Sequence, residues 1–308
     1  MKNYYRVMLG KGSIYANEAK DGGFIGADFI PDVDLSGKLP ESWRDFNKEF
    51  IPVYLKDNPG KAKVTAGLAC ASLWVIAKGI LGGDIVLSPD GSGKYMVGEV
   101  VGDYFYVKRG NLPHRRKVNW FGVVDRASMS QSLQNSTGSI GTYATITKYA
   151  DELSKLIDSP HVIISASDET VEDPATFALE KHLEDFLVQN WKRAGLATKY
   201  DIYQEEGELI GQQYPTDTGT IDILAISKDK KELLVIELKK GRASDVVVGQ
   251  VQRYMGYVKD ELAEKNQNVK GLIIAFEEDV RLKRALSVAP NIDLMFYEVN
   301  FKLKSSKK

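Results

Sequence analysis

The sequence predicts two domains of different class, a mainly-β α+β half followed by an α/β layered half. Three observations lead there. The chain has 308 residues, 43% hydrophobic and 27% charged, which suits a folded, soluble protein of about two domains. From Gly82 onward the first half alternates in strand fashion, as in GDIVLSPDGSGKYMVGEVVGDYFYV, with a turn signal at PDGSG. In the second half, helical and strand patterns follow the order α-β-β-β-α-β with a terminal α-β pair, the signature of a layered α/β domain.

The expected division is 1–160 and 161–308. The N-terminus, MKNYYRVMLGKGS, has no long apolar run, and the first sixty residues show no clear pattern. The most apolar window, Val64 to Leu87, is broken by Lys78 and several glycines; it reads as a buried helix followed by a strand, not a membrane span. A small barrel with helical insertions is expected from there on. The strongest composition shift is SMSQSLQNSTGSIGT, Ser128 to Thr142, and a short helix should follow over Ile146–Asp158. Asp173 and Pro174 then supply an N-cap and a first helical residue for a helix reaching Trp191. Strands are expected at Lys199–Gln204, Thr220–Ser227 and Glu232–Lys239. After them come a helix over Ser244–Leu262, a strand at Gly271–Phe276, a short helix at Val280–Val288 and a last strand at Ile292–Leu303.

Composition excludes several functions. The formal net charge is −1, so any basic surface must be local. Cys70 is the single cysteine, which forbids an internal disulfide and fits a cytoplasmic setting; with only three scattered histidines, a structural zinc site is not expected. There is no internal repeat, no GxxxxGK[ST] phosphate loop and no His/Ser/Asp constellation.

The hairpin GTIDILAISKDKKELLVIELKKG carries charges where apolar residues would pack better. Strand side chains alternate faces, so Leu233, Val235, Glu237 and Lys239 share one face of the second strand. A turn centred on Asp229 and Lys230 places Asp222 opposite Glu237. Opposed side chains lie roughly 5 Å apart, and like charges there repel. Two such carboxylates among apolar neighbours call for a cation, and hard oxygen ligands suit Mg²⁺ or a similar ion. Lys239 points the same way and can reach a phosphate or an attacking water. A solvated edge hairpin is the alternative, but both strands are apolar on both faces and so look central.

In the preceding helix, Lys181, His182, Asp185 and Gln189 form a polar arc, with His182 facing water. Phe177, Leu179, Leu183, Phe186, Leu187 and Trp191 form the apolar one, from which Glu180 projects, with Glu184 nearer its edge. Either glutamate qualifies as a third acid, and Glu180 is favoured. In the helix after the hairpin, Gln250 and Tyr254 are four residues apart on one face and fit support of the acids. Arg242 and Arg253 are weak candidates for phosphate contact.

Upstream, Lys108, Arg109, Arg115, Arg116 and Lys117 place five positive charges within ten residues, with His114 among them. Tyr104, Phe105, Tyr106, Trp120 and Phe121 flank them. Cations attract phosphates and aromatic faces stack bases, so the segment fits contact with DNA, whereas any single aromatic is better read as core. Trp43, Trp74 and Phe24 are further candidates for a pocket.

Asp222 followed by Glu237-Leu238-Lys239 resembles the D…(D/E)xK signature of restriction-endonuclease-like nucleases, and Gln250-x-x-x-Tyr254 resembles the QxxxY element of their RecB-like branch. The run ALEKHLEDFLVQNW…GTIDILAIS…LLVIELKKGRASDVVVGQVQRY is similar to the nuclease domain of the NucS/EndoMS endonucleases over about 130 residues. The resemblance implies a restriction-endonuclease-like core and Mg²⁺- or Mn²⁺-dependent cleavage of DNA phosphodiesters. It would give metal binding to Asp222, Glu237 and Glu180, charge stabilisation or water activation to Lys239, and support to Gln250 and Tyr254. The first half resembles instead the small barrels of the PUA/EVE group and of Mrr-type restriction proteins, through GDIV, VGEV and an aromatic strand. Several domains of that group hold a flipped, modified base, which implies a reader of modified double-stranded DNA coupled to a nuclease, working in restriction of foreign DNA. A repair nuclease for mismatched or branched DNA is the alternative, and a non-catalytic DNA-binding protein the second. A homodimer is expected, because two active sites are the simple route to cutting both strands.

Overall fold

The computed structural model describes residues 2–139, 141–158, 183–205, 207–278 and 280–297. The chain forms two compact units, the first comprising Met1–Val171 with Glu205–Ile210 and the second Glu172–Gln204 with Gly211–Lys308. Among the described residues no helix is long and apolar enough to cross a membrane.

The first unit is built on six strands: β1 (Tyr4–Val7), β2 (Phe24–Ala27), β3 (Ile85–Pro89), β4 (Lys94–Tyr106), β5 (His114–Asp125) and β6 (Tyr143–Thr145). They lie in the order β2-β5-β4-β3-β1-β6, antiparallel except for the β1–β3 pair. The expected barrel takes the form of a sheet whose terminal strands β2 and β6 do not pair with each other among the described residues. Register shifts at Val97/Gly98 and Val100/Tyr104 bend the long β4–β5 ribbon. The helices of this unit are α1 (Ala16–Gly22), α2 (Trp43–Asp57), α3 (Lys63–Trp74), α4 (Gln131–Thr137) and α5 (Ala150–Asp158). α2 and α3 pack through Phe46, Phe50, Cys70 and Leu73, with Ile76 just after α3, into one core with Val86, Met96 and Val118 of the sheet. The small residues Ala66, Gly67, Ala69 and Ala71 leave α3 buried nearly all round, in keeping with the buried helix expected from its apolar sequence. The Ser-rich stretch contains α4, capped where the Ser130 hydroxyl accepts the Leu133 N–H at 3.2 Å.

The second unit has a sheet in the order β12-β11-β10-β9-β7, with β8 also paired to β9. Its strands are β7 (Tyr200–Ile202), β8 (Gln212–Thr216), β9 (Gly219–Ser227), β10 (Glu232–Ala243), β11 (Asn268–Glu278) and β12 (Ile292–Phe296). The β9–β10 hairpin is therefore interior to the sheet, as its two-sided apolarity predicted. Helix α6, residues 183–189, precedes β7, while α7 (Val246–Tyr257) and α8 (Val280–Leu286) make the connections to the parallel strands β11 and β12. β8 was not expected: Gly211, Pro215 and the Asp217-Thr218-Gly219 run make its sequence look like a loop.

Candidate active site

The hairpin turn fixes everything that follows. Lys230, at φ 61°, donates its N–H to Ser227 O at 2.8 Å, and the Ser227 hydroxyl accepts the Lys231 and Glu232 N–H groups at 3.1 and 2.9 Å. This turn sets the pairs Leu233–Ile226 through Ile236–Ile223, the register expected from the turn position. The next pair would be Glu237 with Asp222, and there the backbone ladder stops. Leu238 N–H instead donates to the Asp222 carboxylate at 2.8 Å. On its other edge β10 stays paired to β11 as far as Lys239, followed by a register shift before Arg242.

The acids are placed side by side with donors on their oxygens. Lys239 Nζ lies 2.8 Å from Glu237 Oε1, and Gln250 Nε2 donates to the same oxygen at 2.7 Å and to Tyr254 Oη at 3.3 Å. Glu237 is 3% exposed and Tyr254 is buried. Glu184 of α6 is also buried; it accepts from Gln212 Nε2 at 2.7 Å and from Gln213 Nε2 at 2.5 Å. Gln213 Nε2 also lies 3.3 Å from Asp222 Oδ1, tying the two acids together. Gln212 and Gln213 sit on the unexpected strand β8, so sequence reasoning missed them; the neighbouring Tyr214, fully buried between Gln213 and Pro215, was the one local hint of a strand.

Burial pushes the Asp222 carboxyl up to about 8, with the Glu237 charge as the next cause and Glu184 adding to it; the Leu238 N–H and the Lys239 charge pull the other way. A divalent cation relieves this kind of stress, and carboxylate oxygens from adjacent strands are the hard donors it takes. Among the described residues, no three acid, histidine or cysteine side chains enclose an ion as they stand. By kind of donor and by charge, Asp222, Glu237 and Glu184 fit a cation.

Glu180, favoured from the sequence, lies outside the described residues. In α6 Glu184 is buried, as is Trp191 of the apolar arc just beyond the helix, whereas Phe186 of that arc is 65% exposed. Alanine at Glu184 is therefore expected to abolish metal-dependent activity, and alanine at Glu180 to keep it within a few-fold, both read by nuclease assay across a Mn²⁺ titration. Gly219 is a second positional requirement. Its φ is +144°, and a Cβ there would meet Tyr254 Oη at 2.5 Å. Gly219→Ala should displace Tyr254 and with it Gln250, at a cost of about 1–3 kcal/mol in stability, measurable by thermal melting.

The basic-aromatic segment of the first unit is largely consumed by its own fold. Arg116 is 4% exposed, its guanidinium donating to Gly102 O at 2.9 Å and Ala77 O at 3.1 Å. Arg115 lies over the Phe24 ring and pairs with Glu18 at 2.9 Å. Trp120 Nε1 donates to Ala19 O at 3.0 Å, and buried His114 contacts Tyr104 Oη and Ile30 O. Arg115, Arg116 and Trp120 spend their donors on carbonyls of β4, α1 and the turn after α3, and on Glu18, within the first unit. Phe24 is core, and Trp43 and Trp74 pack on each other at 5.5 Å between centroids. Lys108, Arg109, Lys117 and Phe121 remain exposed. The Arg242 side chain lies outside the described residues, and Arg253 is exposed.

Residues 188–305 match the family described as Endonuclease NucS C-terminal domain, and residues 11–147 match Domain of unknown function (DUF8426). The chain is 30% identical over 128 residues to the Endonuclease NucS of Sulfolobus acidocaldarius, covering 41% of this chain and 44% of that protein. It is 33% identical over 75 residues to the Endonuclease NucS of Methanocaldococcus jannaschii, covering 24% and 27%. Among solved structures it is similar to a repair endonuclease from Pyrococcus abyssi, with a TM-score of 0.31 and 15% identity over 68% of this chain and 66% of that one. A complex of EndoMS with dsDNA gives a TM-score of 0.33 and 12% identity over 71% and 66%. The chain spans less than half the length of the curated relatives it matches. The part of the second unit that holds Asp222, Glu237, Lys239 and the supporting glutamines is thus similar to the C-terminal domain of Endonuclease NucS.

Proposed function

We propose that this chain is a divalent-metal-dependent DNA endonuclease that hydrolyses phosphodiester bonds. The observation that carries the reading is the convergence of Asp222, Glu237 and Lys239, on interior strands inside the segment that matches the NucS C-terminal domain, with Glu184 of the preceding helix α6. Asp222 and Glu237, with Glu184 beside them, hold Mg²⁺ or Mn²⁺. When bound, such an ion supplies Lewis-acid polarisation of the phosphoryl oxygen and lowers the pKa of water. Lys239 Nζ meets the charge that builds on the phosphate. Gln250 orients the Glu237 carboxylate by donating to its Oε1, and Tyr254 holds Gln250 from one helical turn away.

The likeness to Endonuclease NucS favours mismatched or branched DNA as substrate over modified DNA. Restriction through a modified-base reader has less support, since Arg115, Arg116 and Trp120 are engaged inside the first unit. Lys108, Arg109 and Lys117 are left as its candidate phosphate contacts. A homodimer would bring two active sites to one duplex, and sedimentation of the chain with and without DNA tests that.

The deciding experiment offers matched, mismatched, branched and cytosine-modified duplexes to the protein and to Asp222→Ala, with Mn²⁺ or Mg²⁺. Cleavage of the mismatched or branched duplex, absent in the variant, is the expected result. Cleavage confined to modified DNA would restore the restriction reading. Binding of DNA without any cleavage would leave a non-catalytic DNA-binding protein.

A further inference from the structure

Asp222 occupies a gap between two strand ladders. On the β10 side the last backbone pair is Ile236–Ile223, and on the β8 side the pairs Gln212–Ile223 and Tyr214–Ile221 pass over it. The cross-strand place opposite Asp222 on β8 belongs to Gln213. Its backbone is left-handed, at φ 52°, a conformation that a residue with a side chain adopts only where its surroundings dictate it. Gly211, just upstream, exchanges backbone hydrogen bonds with Tyr203 and Leu224 at 2.9 and 2.7 Å, so the entry into this segment is fixed as well. From that constrained position the Gln213 amide nitrogen donates to Glu184 Oε2 and lies 3.3 Å from Asp222 Oδ1.

We infer that Gln213 is a positioning residue of the metal site, its side-chain amide holding the Glu184 and Asp222 carboxylates together so that one divalent cation can bind both. The inference rests on the metal-dependent reading above and extends it to a neutral group. An amide NH₂ has two hydrogens in one plane, enough to meet one oxygen of each acid, while the other two oxygens, which accept from Gln212 Nε2 and the Leu238 N–H, each keep a further lone pair for a cation. Because it carries no charge, it orders the acids without competing with the metal for them. Groups that orient metal ligands in this way typically change metal affinity by about 10–100-fold when removed.

Glycine adopts the left-handed backbone without strain, so Gln213→Gly removes the amide and preserves the chain path. Full-length wild type, Gln213→Gly and Asp222→Ala are titrated with Mn²⁺ by calorimetry, and their melting temperatures are recorded in EDTA. The expected result is Asp222-dependent binding in the wild type and a Kd about tenfold weaker in Gln213→Gly. A cleavage deficit that shrinks as Mn²⁺ is raised should accompany it. Wild-type Mn²⁺ affinity in Gln213→Gly, with or without a lower melting temperature, overturns the inference while the metal site stands. Absence of Asp222-dependent Mn²⁺ binding in the wild type itself removes the metal reading and the inference with it.

Discussion

Lys239→Ala is expected to lower DNA cleavage by about 10²–10³-fold while Mn²⁺ binding stays within a few-fold of wild type. Asp222→Asn should lose both. The difference follows from what each side chain touches. The Asp222 carboxylate contributes charge and oxygens, whereas Lys239 Nζ shares Glu237 Oε1 with Gln250. Its side chain is 29% exposed, so the ammonium also reaches the solvent side from which a phosphate must arrive. Removing it takes positive charge from the place where charge develops during phosphoryl transfer, yet leaves the acids in position. Arginine should restore little, because a planar guanidinium fork cannot stand where a compact ammonium does. Single-turnover cleavage at saturating Mn²⁺, with calorimetry alongside, separates the two variants. Near-wild-type turnover by Lys239→Ala would reduce the lysine to a neutraliser of Glu237.

Without divalent metal, the protein should become less stable as pH rises from about 4 to 8. The Asp222 carboxyl has its usual value of 3.8 in the unfolded chain and about 8 in the folded one. Between those values the folded state keeps a proton that the unfolded state has released. Stability is therefore highest below the unfolded value and is lost as pH passes through the folded one, at a rate of up to about 1.4 kcal/mol per pH unit. Melting temperatures in EDTA should fall across this window, and Mn²⁺ should restore them most at the alkaline end. Asp222→Asn, which can still accept the Leu238 N–H, should flatten the profile. A slope that survives in Asp222→Asn would mean that another group carries it.

The parts of the site that could be read in advance depend on local periodicity. The hairpin register followed from the position of its turn, the shared face of Glu237 and Lys239 from strand alternation, and the Gln250–Tyr254 pair from helical spacing. What could not be read depends on where distant backbone ends up. β8 hides behind glycine and proline, and only a left-handed Gln213 turns its segment into part of the site. Arg115 and Arg116 look like surface charge in the sequence, and nothing local reveals that Leu112, Gly102 and Ala77 offer them carbonyls. For the third acid, periodicity leaves Glu180 and Glu184 one helical turn apart on neighbouring parts of the helix, and the burial of Glu184 depends on β8, which the sequence did not reveal.

The point where the β9–β10 ladder gives way to a side chain has a spectroscopic use. In place of a strand carbonyl, the Leu238 amide proton is held by the Asp222 carboxylate. Whatever draws electron density from that carboxylate, a proton or a cation, weakens its grip on this one amide. The amide resonance of Leu238 therefore acts as a built-in gauge of the state of the acids. It should move with pH and with Mg²⁺, while the amide of Ile236, bound in the ordinary ladder two residues away, stays still.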